Sequence, residues 1–129
     1  MERLELPDGG WWDWEIMSWS SGCLRLAADT DLTYHHGLEL VFRDVSYVAC
    51  PSLFHHPWFR APTGAERAHV RRYVGDRPAV LVAFDIDGPG PLPCLIAADR
   101  VEVVAGTVYR YHRADLKPGE RLADWLAPS

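Results

Sequence analysis

Residues 79–86 read Ala-Val-Leu-Val-Ala-Phe-Asp-Ile, a short and almost continuous apolar run. A run of this length, rich in β-branched and aromatic residues, is typical of a strand that is buried on both faces. Asp87, Gly88 and Pro89 follow it, and these residue types favour a turn. The stretch therefore predicts a strand in the middle of a sheet.

Alternation of apolar and polar residues extends the β pattern along the chain. Residues 38–42 alternate, the phase slips at Arg43–Asp44, and the alternation resumes over 45–49. A slip without Gly or Pro indicates a β-bulge or a tight corner between two strands. Further strands are predicted at 11–19, 23–27, 92–97, 100–104 and 107–112, with Ala105–Gly106 as a hairpin loop.

Helix signals are few. Thr63 and Glu66 form a capping box and Gly75 suits a helix C-terminus, which predicts a helix over 63–74. Pro118 at a first turn predicts a second helix over 118–126. We therefore expect a mainly β fold, a small antiparallel β-sandwich or barrel-like domain with one or two short helices. The predicted core comprises Leu40, Phe42, Val80, Val82, Phe84, Val101 and Val103.

Length and composition limit the class of protein. The 129 residues predict one compact β-rich domain covering 1–129, and 48% hydrophobic residues exclude a disordered chain. The net charge of −5 argues against a partner that is nucleic acid or an anionic membrane. No apolar run is long enough to span a bilayer. Three widely spaced cysteines and a charged start of the chain favour reduced thiols in the cytoplasm.

The strand at 79–86 also carries a catalytic pattern. Its end, Asp85-x-Asp87-Gly88, resembles the start of the haloacid-dehalogenase-like phosphatases, in which such aspartates act as nucleophile and general acid over Mg²⁺. That family has a threonine after the motif and a doubly wound α/β scaffold, whereas Pro89 follows here and the remaining residues alternate as strands. A strand that ends in a turn is the favoured interpretation.

Histidine doublets mark the preferred candidate site. His35–His36 and His55–His56 flank the two strands at 38–42 and 45–49. If these strands form a hairpin, its open end brings His36 and His55 together, with Glu39 close by and Arg60 able to hold an anion. Alternation places His35 on the same side as Glu39. Two histidines and a carboxylate suit zinc or iron, so metal binding stays open, although the sequence calls for no cofactor.

Tryptophans are concentrated near the start of the chain. In a strand over 11–19, Trp12 and Trp14 face one side while Trp11 and Trp19 face the other. One pair belongs to the core, which leaves Trp11 and Trp19 for a dimer interface or a ligand groove.

Two functions are compatible with these patterns. The first is a small cytosolic, non-catalytic binding or protein-interaction module, such as a bacterial accessory or immunity-type protein, that self-associates through its Trp-rich N-terminus. The alternative is a small β-fold enzyme or metal-binding protein with a His/carboxylate site at the two doublets. Partners are then a second copy or another protein, and a small-molecule ligand, if there is one, binds near His36 and His55 rather than at Asp85.

Overall fold

Two β-sheets and one α-helix make up the part of the chain that the computed structural model describes, which is residues 3–87 and 92–126. Strands dominate and nearly all of them pair antiparallel, which confirms the predicted fold class. No helix in the described ranges is long and apolar enough to cross a membrane.

The larger sheet has six strands. They are β1 (Asp13–Ser20), β2 (Cys23–Asp29), β3 (His35–Arg43), β5 (Leu53–His55), β9 (Arg100–Tyr109) and β10 (Arg121–Leu122). Their order is β10-β9-β3-β2-β1-β5, and the short β10 is the parallel neighbour of β9. Ser21 and Gly22 join β1 to β2 with positive φ at both positions, as a two-residue type I′ hairpin turn requires.

The smaller sheet has four strands. They are β4 (Tyr47–Ala49), β6 (Trp58–Arg60), β7 (Val80–Ile86) and β8 (Leu92–Ala98), in the order β4-β8-β7-β6. The apolar run at 79–86 is therefore an interior strand, as predicted. Its neighbours β6 and β8 are both antiparallel to it, so the sheet is not the parallel α/β sheet of the haloacid-dehalogenase-like phosphatases.

The core lies between the two sheets. Trp14, Phe42 and Phe84 are its largest buried side chains, and Phe54 and Phe59 pack around Phe84 with ring centroids 5.1 and 5.0 Å away. Of the predicted core residues, Val101 is only partly buried, and the prediction that Val103 belongs to the core is wrong. Val103 keeps 39% of its surface exposed because β9 lies near the edge of its sheet.

Helix α1 (Gly64–Val74) confirms the first predicted helix. The Thr63 hydroxyl accepts from the Glu66 amide, the Glu66 carboxylate accepts from the Thr63 amide, and Gly75 ends the helix at φ 71°. Val70 is the residue that α1 buries against the smaller sheet.

The second predicted helix, 118–126, is wrong. Strand β10 and a single 3₁₀ turn, Asp124–Leu126, occupy that segment. Side chains from the larger sheet hold it, because Arg121 pairs with Glu39 and Asp124 pairs with Arg25. These tertiary contacts outweigh the weak local preference for a helix.

Two predicted connections are also wrong. Ala105 and Gly106 do not form a hairpin loop, because β9 continues through them with a register irregularity opposite His36 and Leu38. Residues 38–49 do not form a hairpin either. The chain turns at Asp44, where φ is 55°, and passes from β3 in the larger sheet to β4 in the smaller one.

The tryptophans follow the predicted alternation only in part. Trp14 is buried and Trp19 is 57% exposed, as predicted. Trp12 is exposed, however, and Trp11 packs against the core while its Nε1 donates to the Pro7 carbonyl at 2.7 Å. The reason is that β1 begins at Asp13, so strand alternation does not apply to residues 11 and 12.

Candidate functional site

His36 and Glu39 lie in direct contact on β3. His36 Nε2 is 2.7 Å from Glu39 Oε2, and the two residues are 0% and 3% exposed. Strict alternation predicts His35 on the side of Glu39. The structure places His36 there instead, and the register of β3 shifts between His36 and Leu38. His35 instead contacts Asp29, with its Nδ1 3.0 Å from Oδ2.

Arg110 fixes the tautomer of His36. Its Nε donates to His36 Nδ1 at 3.1 Å, and a guanidinium has no acceptor, so Nδ1 carries no proton. The imidazole is therefore neutral, and its Nε2–H donates to Glu39. A second guanidinium nitrogen of Arg110 pairs with Glu15 on β1.

Glu39 stays ionised in this buried position. Burial raises its pKa, but the hydrogen bond from His36 and the positive charge of Arg121 outweigh burial and hold the pKa below its ordinary value. The side chains of Glu15, Arg110, His36, Glu39 and Arg121 thus form one continuous chain of contacts across the larger sheet. Buried networks of this kind stabilise a fold, but this one is incomplete: among the described residues, the buried Arg110 Nη2 has no hydrogen-bond partner.

His55 is exposed on strand β5, at the edge of the same sheet. Its Nδ1 is 2.8 Å from Asp13 Oδ1 on the neighbouring β1, where the two residues are register partners. Since a carboxylate only accepts, Nδ1–H donates to Asp13, and the tautomer with this single ring proton has Nε2 as an acceptor.

An open pocket of about 300 Å³ lies beside His55. We call it the acidic pocket, and its lining includes Asp13, Glu15, Asp31, Leu53, His55 and Arg110. His55 reaches it directly, and His36 reaches it through Arg110. The hairpin that the sequence suggested is not what relates the two doublets. Two other contacts connect them. Strand β5 pairs with β1, which brings His55 to the pocket, and Arg110 at the end of β9 contacts His36.

The carboxylates dominate the charge of the acidic pocket. Asp13, Glu15 and Asp31 face one guanidinium, that of Arg110, which Glu15 already pairs. Hydrogen bonds from the Thr33 hydroxyl and amide lower the pKa of Asp31 and keep it ionised. Such a lining favours a ligand that is positively charged and rich in donors.

Arg60 lies away from the acidic pocket. On β6 it donates two hydrogen bonds of 2.7 Å to Glu66 of α1, and its Nε donates to Asp85 at 2.9 Å. These bonds hold the pKa of Glu66 at about 2. Asp85 is thus held by Arg60, and of the motif around it Gly88 and Pro89 lie outside the described residues.

Sequence reasoning missed the four acidic and arginine residues that line the acidic pocket. Asp13, Glu15 and Arg110 come together through pairing of distant strands, which no local pattern announces. Asp31 had a local signal, because an Asp two residues before a Thr commonly accepts from its backbone and hydroxyl, as it does here.

Hydrophobic side chains border the acidic pocket. Leu53 on its wall is 61% exposed, and Trp12, which precedes Asp13, lies beside His56 with ring centroids 6.4 Å apart. Exposed large apolar groups next to a polar pocket are common in protein interfaces.

No metal-binding arrangement of three or more His, Cys, Asp and Glu side chains occurs within residues 3–87 and 92–126. Comparison of the chain with protein-family models, with curated proteins and with solved structures found no match.

Proposed function

We propose that this protein is a non-catalytic interaction module that binds a basic segment of a partner protein at the acidic pocket. One observation carries the proposal: three carboxylates surround a pocket whose only lining guanidinium among the described residues is already neutralised by Glu15. An incoming lysine or arginine side chain supplies the missing positive charge.

The distribution of charge supports a basic partner. Residues 1–52 hold nine acidic and three basic residues, and they include Asp13, Glu15 and Asp31. A field of one sign accelerates the encounter with an oppositely charged protein and selects against acidic ones. Leu53, which lines the pocket and is 61% exposed, adds apolar contact area.

Burial of the His36–Glu39 pair favours binding over catalysis. Neither side chain is accessible to a substrate, since both are more than nine-tenths buried. We therefore propose an accessory or immunity-type protein, which acts by binding to a basic partner. Reduced cysteines are consistent with action in the cytoplasm, which is part of the proposal.

Binding of a fluorescein-labelled hexa-arginine peptide, measured by fluorescence anisotropy at low salt, tests this function. We expect Asp13→Asn and Asp31→Asn each to raise Kd by about fivefold or more. The matched control is Asp76→Asn, which removes one negative charge from an exposed position beyond α1. An equal loss of affinity in all three variants, or no binding by the wild type, contradicts the proposal.

A second candidate function rests on the Asp13–His55 pair. Asp13 orients the imidazole and leaves Nε2 as an acceptor at the pocket, the arrangement of a general base. Hydrolysis of p-nitrophenyl acetate by the wild type, by His55→Gln and by His112→Gln tests it. If His55 is the general base, His55→Gln loses the activity and His112→Gln keeps it.

Self-association through the Trp-rich N-terminus remains part of what we propose to test. Trp19 is the residue that suits it, because Trp11 packs against the core of its own chain. Sedimentation velocity of Trp19→Ser against the wild type shows whether this residue holds two copies together.

A further inference from the structure

Strand β9 has one edge that no described strand covers. Along its other side β9 pairs with β3 from Arg100 to Tyr109. On the open side β10 pairs with Val108 and Tyr109 alone within the described residues. The stretch 100–107 therefore has no strand neighbour there among residues 3–87 and 92–126.

This open edge is well suited to pairing. Every second residue of an edge strand directs its amide and carbonyl away from its one neighbour, and water is their alternative partner. Val103 and Val104 are 39% and 40% exposed, and valines are among the residues most favoured in strands. The stretch offers backbone hydrogen bonds and apolar contact together.

Charged side chains and bulges commonly protect an edge strand from pairing with another chain, and neither blocks the middle of this stretch. The Glu102 carboxylate is drawn toward β3, where Arg43 Nε donates to it at 2.8 Å. The irregularity of β9 comes only after Ala105, and there the Gly119 carbonyl approaches Gly106. Residues 101–105 thus remain as a regular, open edge.

We propose that a second copy of this chain pairs with β9 in antiparallel orientation, with Val103 opposite the same valine across a twofold axis. In this register Glu102 faces Val104 and Arg100 faces Gly106, so no two like charges oppose each other. An axis through Glu102 sets two carboxylates against each other. An axis through Val101 shortens the overlap, because β9 begins at Arg100. Self-complementarity over residues 100–106 is what identifies a second copy as the occupant.

The proposed dimer leaves the acidic pocket open. Asp13 and His55 lie on β1 and β5, at the opposite edge of the six-stranded sheet. The dimer is therefore independent of the function proposed above. It also differs from self-association through Trp19, which lies at the β1–β2 turn.

Sedimentation velocity of the full chain, from micromolar to near-millimolar concentration, tests the proposal with a charge exchange. Val103→Lys and Val103→Glu each set like charges opposite one another, and we expect each to weaken the dimer by about tenfold or more. An equimolar mixture of the two restores the dimer, because Lys then opposes Glu. Trp58→Ser, at an exposed position of β6 in the smaller sheet, serves as the control and remains dimeric.

Amide hydrogen exchange of the wild type gives a measurement that needs no variant. We expect amides within residues 101–105 to become protected as concentration rises, while those of β5 at the other edge do not change. A wild type that stays monomeric, a dimer that survives both Val103 variants, or a dimer that Trp58→Ser dissociates overturns the proposal.

Discussion

Arg110 Nε donates a hydrogen bond to His36 Nδ1 at 3.1 Å across 74 positions of sequence. This single contact determines which nitrogen of the buried imidazole carries the proton, and so which one donates to Glu39. It also ties the end of β9 to the start of β3 beside the acidic pocket. The candidate site and the stability of the larger sheet therefore depend on the same side chains.

Replacing His36 by Ala should lower the free energy of unfolding by about 3 kcal/mol, because the change leaves Arg110 and Glu39 buried with fewer partners. His35→Ala is the matched control, since that imidazole is partly exposed and contacts Asp29 at the surface. It should cost less than about 1 kcal/mol. Urea unfolding of both variants measures the difference, and equal costs would show that the network contributes little.

Acid should weaken the contact between α1 and the smaller sheet. The pKa of Glu66 is about 2 in the folded protein against an ordinary 4.5. A lowered folded-state pKa stabilises the protein above the ordinary value, and this contribution disappears as pH falls from about 4.5 to about 2. Glu66→Gln should therefore cost about 2 kcal/mol at neutral pH and almost nothing near pH 2. Urea unfolding of wild type and variant over this range checks it, and a pH-independent difference contradicts it.

Truncation of Phe84 should be among the costliest changes in the core. Phe84 is fully buried between Phe54 and Phe59, so Phe84→Ala leaves a cavity and should cost about 3–5 kcal/mol. Tyr73→Ala is the control, because this aromatic residue of α1 is mostly exposed and should cost far less. Thermal or urea unfolding distinguishes them. A loss below about 1 kcal/mol at Phe84 would place this side chain outside the core.

The thiols should react at very different rates before and after unfolding. Burial raises the pKa of Cys50 and Cys94 to about 11, so almost no thiolate forms at either sulfur near pH 8. Iodoacetamide should label Cys23 first in the folded protein, and all three cysteines after unfolding without reductant. Mass spectrometry of the alkylated peptides measures this, and a recovered peptide with two cross-linked cysteines would contradict it.

Local patterns predicted most of the fold. The apolar run at 79–86 identified an interior strand, and the Thr63–Glu66 capping box identified the start of α1. The passage from β3 to β4 could not be predicted, because a slip in alternation looks the same whether the chain bends within one sheet or enters another. The conformation of 118–126 could not be predicted either, since contacts with Glu39 and Arg25 determine it.

The candidate site was less predictable than the fold. The two doublets drew attention to His36 and His55; His55 lines the acidic pocket, and His36 is connected to it through Arg110. The prediction for Arg60 led away from this pocket, because its partners are Glu66 on α1 and Asp85 on β7 of the smaller sheet. Alternation alone predicted the wrong histidine beside Glu39, since one register irregularity reverses every side assignment beyond it.

The contact between Glu39 and Arg121 bears on the order of events during synthesis. Glu39 leaves the ribosome 82 residues before Arg121, which is about 4 to 16 s at ordinary rates of translation. During that interval Glu39 lacks the positive charge of Arg121, although His36 is already present as a partner. The contact between Glu39 and Arg121 therefore forms late, after most of the larger sheet has been synthesised, whatever the order in which the hairpins form.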